Sequence, residues 1–241
     1  MLMAGLAQRH RDRRNTAAMW SNLGESARFR GDFQRAEQLY QKALDAVREI
    51  GHRDSEAIYL TNLSGAQLGL RKFVQAEAEL REAIELTRGN SFCALSETYS
   101  NLSQACIGQN KLEDALVAAQ RALVLAQESE NDLDLGTSLR ALGHALSLAR
   151  SNGHSATPGS ADAAQPKIPE QCFADSLSVF QKIKAEVEQA RTLRAWAQHD
   201  LRHARTDQSK TRLREAGEIF KRVGARTEAE ETEHLRQEPP A

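Results

Sequence analysis

Apolar residues recur in this chain at steps of three and four residues, which is the spacing of one face of an α-helix. Near the amino end, Trp20, Leu23 and Ala27 form one such set. A second set follows after a short gap: Ala36, Tyr40, Ala43, Leu44 and Val47. Gly31 and Asp32 lie between the two sets, and glycine commonly ends a helix while aspartate commonly begins one. The pattern predicts two antiparallel helices that pack against each other.

This helix pair recurs along the chain with a nearly constant period. A leucine in an NL or AL dipeptide occupies the same place in four segments: Leu23, Leu63, Leu102 and Leu142. The steps between them are 40, 39 and 40 residues. Such self-similarity is typical of solenoids, whose units cannot bury their apolar faces alone. We therefore expect an all-α solenoid of antiparallel helix pairs, in which these leucines and Trp196 of a fifth repeat occupy equivalent buried places.

The period divides the chain into about five repeats with distinct ends. The predicted segments are 1–16 (N-terminal half-repeat or cap), 17–56, 57–95 and 96–135 (repeats 1 to 3), 136–186 (repeat 4), 187–224 (degenerate repeat 5) and 225–241 (capping helix and frayed tail). Three residues of the first segment fall 40 positions before their equivalents in repeat 1: Met3, Ala4 and Ala7. Two interpretations stay open, an N-terminal cap or a piece of a longer protein.

Repeat 4 is interrupted between its two helices. Residues 151–168 are rich in Gly, Ser, Ala and Pro and hold almost no large apolar side chains. Such a segment cannot repay the entropy of ordering, so we expect a disordered insertion that either covers a ligand or serves as a tether. The second helix is predicted to resume near Pro169, since proline is tolerated in the first turn of a helix.

The first repeat resembles the tetratricopeptide repeat. It carries the residues of that family's W, L, G, G-D-Y, A, Y and A-L pattern: Trp20, Leu23, Gly24, Gly31, Asp32, Phe33, Ala36, Tyr40, Ala43 and Leu44. Repeats 2 and 3 place Ser64 and Ser103 where the first has Gly24, because only a small residue fits where two helices approach closely. The resemblance implies a right-handed superhelix. The long period is similar to that of kinesin light chains, cell-polarity adaptors and bacterial multidomain signalling proteins.

Charge and composition narrow the functional classes. The chain holds 32 basic and 33 acidic residues, so no bulk field favours nucleic acid or a membrane surface. No apolar run approaches the 18 residues that indicate a membrane span. Cys93, Cys106 and Cys172 are widely spaced and odd in number, which favours buried thiols in a reducing compartment. We expect a cytoplasmic protein.

The sequence offers little catalytic chemistry. It contains no glycine-rich phosphate loop and no G-x-S-x-G motif. His199 and His203 have the spacing of metal ligands on a helix, but His199 occupies a position that holds alanine or serine in the other repeats. The basic cluster between Arg9 and Arg14 is interpreted as a solvated turn between helices, in preference to a phosphate contact. We predict no enzymatic activity, no metal and no cofactor.

The family resemblance places the first helices of the repeats along a concave binding surface. It implies twelve candidate peptide-binding residues: Ser21, Asn22, Glu25, Arg28, Thr61, Asn62, Glu97, Asn101, Arg140, His144, Arg191 and Arg194. Asn22, Asn62 and Asn101 recur at one position, and each amide offers a donor and an acceptor to an extended peptide. A local helix contact is the alternative role for these amides. The arginines of the later repeats suit acidic side chains or a terminal carboxylate.

Two functional hypotheses fit these observations. The leading one is a non-catalytic interaction scaffold that binds a peptide or protein segment in the concave groove. The alternative is a sensory or regulatory region of a larger bacterial signalling or transcription-regulating protein, which the half-repeat at the amino end and the arrays of similar period both favour.

Overall fold

The computed structural model describes residues 2–88, 94–151 and 168–237. Within these ranges the chain forms eleven α-helices and no strand. In chain order the helices are α1 (Leu2–Phe29), α2 (Phe33–Arg48), α3 (Arg53–Gly69), α4 (Phe73–Leu86), α5 (Leu95–Gly108), α6 (Leu112–Ser129), α7 (Asp132–Ser151), α8 (Pro169–Lys182), α9 (Glu186–Arg202), α10 (Thr206–Val223) and α11 (Arg226–Gln237). None of these described helices has both the length and the apolar character of a membrane span.

The chain divides into two compact units, Met1–Gln109 and Asn110–Ala241, which we call unit 1 and unit 2. Unit 1 holds α1 to α5, and unit 2 holds α6 to α11. Within each unit, helices that follow one another in the sequence pack side by side. This arrangement of paired antiparallel helices confirms the predicted all-α solenoid architecture.

The junction between α1 and α2 shows why the first pair forms. Gly31 has a φ of 78°, a left-handed conformation that favours glycine and ends the helix. The Asp32 amide donates to the Ala27 carbonyl at 3.0 Å. The Asp32 carboxylate then caps α2 by accepting a hydrogen bond from the backbone N–H of Arg35 at 3.1 Å. The helix end and helix start predicted from Gly31 and Asp32 are confirmed.

Small residues allow the helices of unit 1 to approach closely. The apolar faces of α1, α2 and α3 meet in one buried cluster that includes Ala27, Tyr40, Val47, Leu60 and Leu63. A Cβ atom on Gly24 would lie 2.8 Å from Cε1 of Tyr40, well inside van der Waals contact. Its equivalents Ser64 and Ser103 are fully buried. The need for a small residue at this position is therefore confirmed.

Phenylalanines join each repeat of unit 1 to the next. Phe33 opens α2 and lies against Gly69 at the end of α3, where an added Cβ would come 2.5 Å from the ring. Phe73 opens α4 and lies in the same way against Gly108 at the end of α5, where the distance would be 2.3 Å. Only glycine leaves room for the ring at these two places.

Unit 2 contains the interrupted repeat. Residues 152–167, which make up nearly all of the predicted insertion, lie outside the described ranges. The helix that follows them begins at Pro169, with the proline in its first turn, as predicted. Phe173 and Phe180 of α8 are fully buried. In this unit α9 packs against α10, and α11 packs against α10 at the place of the predicted capping helix.

The amino end differs from the prediction. A single helix runs without a break over Leu2–Phe29, so residues 9–14 are helical and form no turn. The segment 1–16 is therefore an extension of the first helix of repeat 1 and not a separate half-repeat. Residues 9–14 include no glycine or proline that would end a helix, and arginine, which dominates them, is a good helix former.

The residues that mark the repeats are not all buried. Leu63, Leu102 and Leu142 are buried, but Leu23 is 50% exposed, and Trp196 is only half-buried. The expectation of equivalent buried places is wrong for these two residues. The cover of Leu63 comes from α2, the helix that precedes its own, whereas Leu23 belongs to the first described helix of the chain.

Candidate functional site

The predicted site residues of unit 1 lie on its first helices, α1, α3 and α5. We call this surface the first-helix face of unit 1; it consists of Ser21, Asn22, Glu25, Arg28, Thr61, Asn62, Glu97 and Asn101. The Asn62 side-chain amide donates to the Ser21 hydroxyl at 3.2 Å, which links α3 to α1. The Thr61 hydroxyl lies 2.9 Å from that of Thr98, which links α3 to α5. Thr61 is only 1% exposed, so it joins the helices and does not face a ligand.

A charge cluster on α1 reaches the neighbouring helix α2. The Tyr40 hydroxyl and the Arg28 Nε both donate to Oε2 of Glu25, at 2.7 and 3.1 Å. Burial and the bond to Glu25 raise the pKa of Tyr40. Burial alone would lower the pKa of Arg28, but the hydrogen bond to Glu25 and nearby negative charges, including Glu97 on α5, raise it overall. Arg28 is thus held as a cation by Glu25 of its own helix, and the charge of Glu97 on α5 adds a smaller attraction.

The three amides predicted as a ladder have different surroundings. Asn22 is exposed, whereas Asn62 and Asn101 are half-buried. The bond from Asn62 to Ser21 is the local helix contact that the sequence left as an alternative. A carboxamide has two donor hydrogens and an acceptor oxygen, so Asn62 can form further hydrogen bonds besides this one.

In unit 2, carboxylates of neighbouring helices hold the predicted arginines. Arg140 of α7 pairs with Glu188 of α9 at 2.6 Å. Arg191 of α9 also pairs with Glu188, at 2.6 Å, and its Nε donates to Glu228 of α11 at 2.7 Å. Burial alone would raise the pKa of the Glu188 carboxyl, but Arg140 and Arg191 lower it to about 2. The two arginines share the Glu188 carboxylate, which stays ionised at neutral pH.

Arg194 has the same kind of surroundings as Arg140. Arg194 pairs with Glu231 of α11 at 3.0 Å, and its guanidinium carbon lies 5.4 Å from the centre of the Phe220 ring. The guanidinium carbon of Arg140 lies at the same distance from the ring of Phe180. Each arginine therefore joins the second helix of its own repeat to the helix that follows it, through a ring contact and an ion pair. The surface that was expected to be basic is charge-compensated.

His144, the remaining candidate of unit 2, is held neutral. Burial, followed by the charges of Arg202 and Arg140, lowers the pKa of its imidazole to about 4. At pH 7 it can therefore donate or accept a hydrogen bond but carries no charge.

A buried polar cluster around His199 was not predicted. His199 is buried, as its repeat position indicated, with Nδ1 2.8 Å from Ser147 Oγ and Nε2 3.1 Å from Glu170. Burial lowers the pKa of its imidazole. The ring centres of His199 and His203 lie 4.5 Å apart. Among the residues that the structure describes, no group of three or more His, Cys, Asp or Glu side chains could hold a metal ion.

Asp200 extends this cluster toward α10. It is fully buried, lies 3.2 Å from Nε of Arg205 and makes a closer contact with Arg212. Burial raises the pKa of the Asp200 carboxyl, and the two arginines oppose that rise. His199 and Asp200 occupy positions that hold Ala145 and Leu146 in the preceding first helix. The sequence could have indicated this cluster, because His199 and Asp200 are adjacent polar residues at positions that are apolar in the preceding first helix.

Two basic residues of α1 contact the turn between α2 and α3. Arg13 lies 3.0 Å from Glu49, and Arg14 lies 3.4 Å from Nε2 of His52. The side chain of Arg9 lies outside the described part of the chain. Both contacts are solvent-exposed and contribute little to stability.

One stretch of the chain matches a known family. Residues 15–89 match the family model described as tetratricopeptide repeat. No curated protein matches the chain in sequence.

Several solved structures share the fold. Aspartyl phosphate phosphatase F from Bacillus subtilis is 14% identical, with a TM-score of 0.63 over 98% of this chain and 58% of that one. A Rap protein complexed with competence and sporulation factor is 10% identical, with a TM-score of 0.61 over 92% and 62%. A putative kinesin light chain from Podosopora anserina is 10% identical, with a TM-score of 0.54 over 86% and 95%. This chain thus spans less than two thirds of the first two, and at such identities the likeness shows the fold alone.

Proposed function

We propose that this chain, which carries tetratricopeptide repeats, is a non-catalytic scaffold that binds a peptide or protein segment on its first-helix faces. The repeat type supports an interaction role, because a stack of helix pairs presents an extended surface assembled from many similar units. The observation that carries the proposal is the arrangement on unit 1. There, side-chain contacts join three successive first helices: Asn62 of α3 bonds to Ser21 of α1, and Thr61 of α3 lies against Thr98 of α5.

The chemistry of the proposed ligand follows from these groups. The half-buried Asn62 and Asn101 suit the backbone of an extended segment, which presents a donor and an acceptor at every residue. The preference for an acidic segment rests on Arg140, Arg191 and Arg194 of unit 2. Each of these arginines already faces a carboxylate, so an acidic ligand would bind by exchange of ion pairs. The pair with Glu231, whose side chain is 56% exposed, is the easiest to exchange.

Position-specific cross-linking tests this proposal. A photoreactive benzoylphenylalanine would replace Asn22 or Glu97 on the first-helix face, or Val74 on the exposed side of α4 as a matched control. After irradiation in a lysate of the native host, cross-linked proteins are identified by mass spectrometry. The proposal predicts that one protein is captured from both Asn22 and Glu97 and not from Val74. Capture from Val74 alone, or no protein shared by the two test positions, would contradict it.

A second candidate is a regulatory or sensory role in bacterial signalling. It is favoured by the likeness to a Rap protein that was solved with a competence and sporulation factor. Its test is the coding sequence upstream of Met1. An in-frame effector domain would support this role, and a stop codon close before Met1 would count against a fused effector. A cytoplasmic location belongs to both proposals.

A further inference from the structure

One face of α1 is open where the equivalent faces of the other first helices are covered. Met19 and Leu23 are 52% and 50% exposed, and Ser26 is exposed beside them. The residues at the same three repeat positions in α3, α5 and α7 are all buried: Tyr59, Leu63, Ala66, Thr98, Leu102, Ala105, Ser138, Leu142 and Ala145. We call Met19, Leu23 and Ser26 the open face of α1.

The repeats themselves show what kind of group covers this face. In unit 1 the second helix α2 packs against α3, and its Ala43, Ala46 and Val47 share a buried cluster with Leu63 and Ala66. The helix α4 packs in the same order against α5, and in unit 2 α6 packs against α7. The fitting group is therefore an amphipathic helix that presents small residues to the first helix.

A phenylalanine sets one constraint on that helix. Phe33 at the start of α2 lies over Gly69, and Phe73 at the start of α4 lies over Gly108. The residue of α1 at the position of Gly69 is Phe29, which is 46% exposed. Since a ring already occupies this position, the covering helix needs a small residue where α2 and α4 have phenylalanine.

A charge sets the second constraint. Glu37, one turn into α2, pairs with Lys72 at 2.7 Å. The residue that stands 40 positions before Lys72 is Asp32, which is exposed. The residue that follows the first helix is therefore acidic after α1 and basic after α3. The covering helix consequently needs a basic residue where α2 has glutamate.

We propose that the open face of α1 binds an amphipathic helix of a partner protein, with alanine-sized residues against Met19 and Leu23, a small residue against Phe29 and a lysine or arginine against Asp32. The helix would run antiparallel to α1, as α2 runs against α3. This surface adjoins the side of α1 that bears Asn22 and Glu25, but it consists of the positions on which repeats stack and does not include Asn62 or Asn101 of the proposed peptide-binding surface.

A peptide derived from this chain provides the probe. It has the sequence of residues 33–50 with Phe33→Ala and Glu37→Lys, blocked at both ends and labelled with fluorescein. Fluorescence anisotropy measures its binding to the full chain, and to the variants Leu23→Asp and Val117→Asp. Val117 is a matched control, because it is exposed and apolar but lies on α6. Circular dichroism verifies that both variants keep their helical content.

The proposal predicts saturable binding that Leu23→Asp weakens about tenfold or more and Val117→Asp leaves unchanged. The peptide without the two substitutions should bind more weakly, because it brings Phe33 against Phe29 and Glu37 against Asp32. The double variant Asn62→Ala with Asn101→Ala should bind the peptide with the same affinity as the unchanged chain. Failure of the helix-binding proposal can therefore be told apart from failure of the peptide-binding proposal. Absence of saturable binding up to about 1 mM, or equal affinity for the Leu23→Asp variant, would overturn the proposal. A concentration-dependent dimer that Leu23→Asp dissolves would overturn it by naming a second copy as the occupant.

Discussion

Phe33 lies so close to Gly69 that a single added carbon would collide with its ring. A Cβ atom on Gly69 would come 2.5 Å from Cδ1 of Phe33. This contact joins the second helix of one repeat to the first helix of the next, and Phe73 with Gly108 repeats it 39 to 40 residues later. The junction between repeats in unit 1 therefore depends on a ring that fits against exposed backbone.

Gly69→Ala should accordingly destabilise the protein by about 1–3 kcal/mol, because the Phe33 ring has to move out of a packed position. Gly65→Ala is the matched control on the same helix, since its Cβ would find its nearest neighbour, Cδ of Arg28, at 4.0 Å. There the better helix propensity of alanine should leave stability unchanged or raise it by up to about 1 kcal/mol. Urea unfolding followed by circular dichroism measures both. Equal effects at the two glycines would show that the Phe33 contact carries no energy.

Leu63→Ala and Leu23→Ala compare the same repeat position with and without a covering helix. Leu63 is 1% exposed, so its truncation should leave a cavity and cost about 2–5 kcal/mol. Leu23 is half exposed, and its truncation should cost less than about 1 kcal/mol. Both values come from the midpoint and slope of denaturant unfolding. A loss at Leu23 as large as that at Leu63 would mean that α1 is covered on this side.

Glu188→Gln removes the carboxylate that Arg140 and Arg191 share. Two guanidinium groups would then face a neutral amide in a largely buried place, and we expect a loss of roughly 2–4 kcal/mol. Glu231→Gln is the control, because its pair with Arg194 is more exposed and should contribute less than about 1 kcal/mol. Thermal and urea unfolding of the two variants test the difference. Equal small losses would show that the Glu188 pairs are as weak as surface pairs.

The pKa of His144 predicts how stability changes with pH. Its value in the folded chain, about 4, lies below the ordinary 6.5, so the unfolded chain binds more protons between these two values. Stability should therefore fall as the pH falls from 7.5 to 5.0, by about 1–2 kcal/mol from this residue. The His144→Gln variant should lose less stability over the same pH interval. The carboxyls of Glu170 and Glu188, with pKa values near 2, act in the same direction mainly below this window. If the stability of the variant depended on pH as that of the unchanged chain does, His144 would not be the cause of the loss.

Local spacing predicted much of this fold. The steps of three and four residues located the helices, and Gly31 with Asp32 located the first turn, because the backbone conformation of these residues depends on near neighbours. Contacts across repeats were harder to predict. The fit of Phe33 to Gly69 joins residues 36 apart, and nothing in either residue alone indicates the other.

The position of the candidate site stays a prediction, and the ion pairs of its arginines were not predicted. The repeat position of Arg140, Arg191 and Arg194 identified the helix face, but the pairing carboxylates come from neighbouring helices whose angle and register the pattern does not define. The continuous helix through residues 9–14 was missed for a related reason. The match of Met3 and Ala7 to the repeat indicated a separate helix, whereas residues 9–14 contain no glycine or proline that would end one.

Binding to the first-helix face of unit 1 is the claim on which the functional account depends. Isothermal titration of the protein captured by cross-linking, against the unchanged chain and the double variant Asn62→Ala with Asn101→Ala, tests it most directly. Val74→Asp, on a second helix, controls for nonspecific effects. The account predicts that the double variant loses about tenfold or more in affinity while Val74→Asp binds as the unchanged chain does. Unchanged affinity in the double variant, or a comparable loss from Val74→Asp, would contradict it.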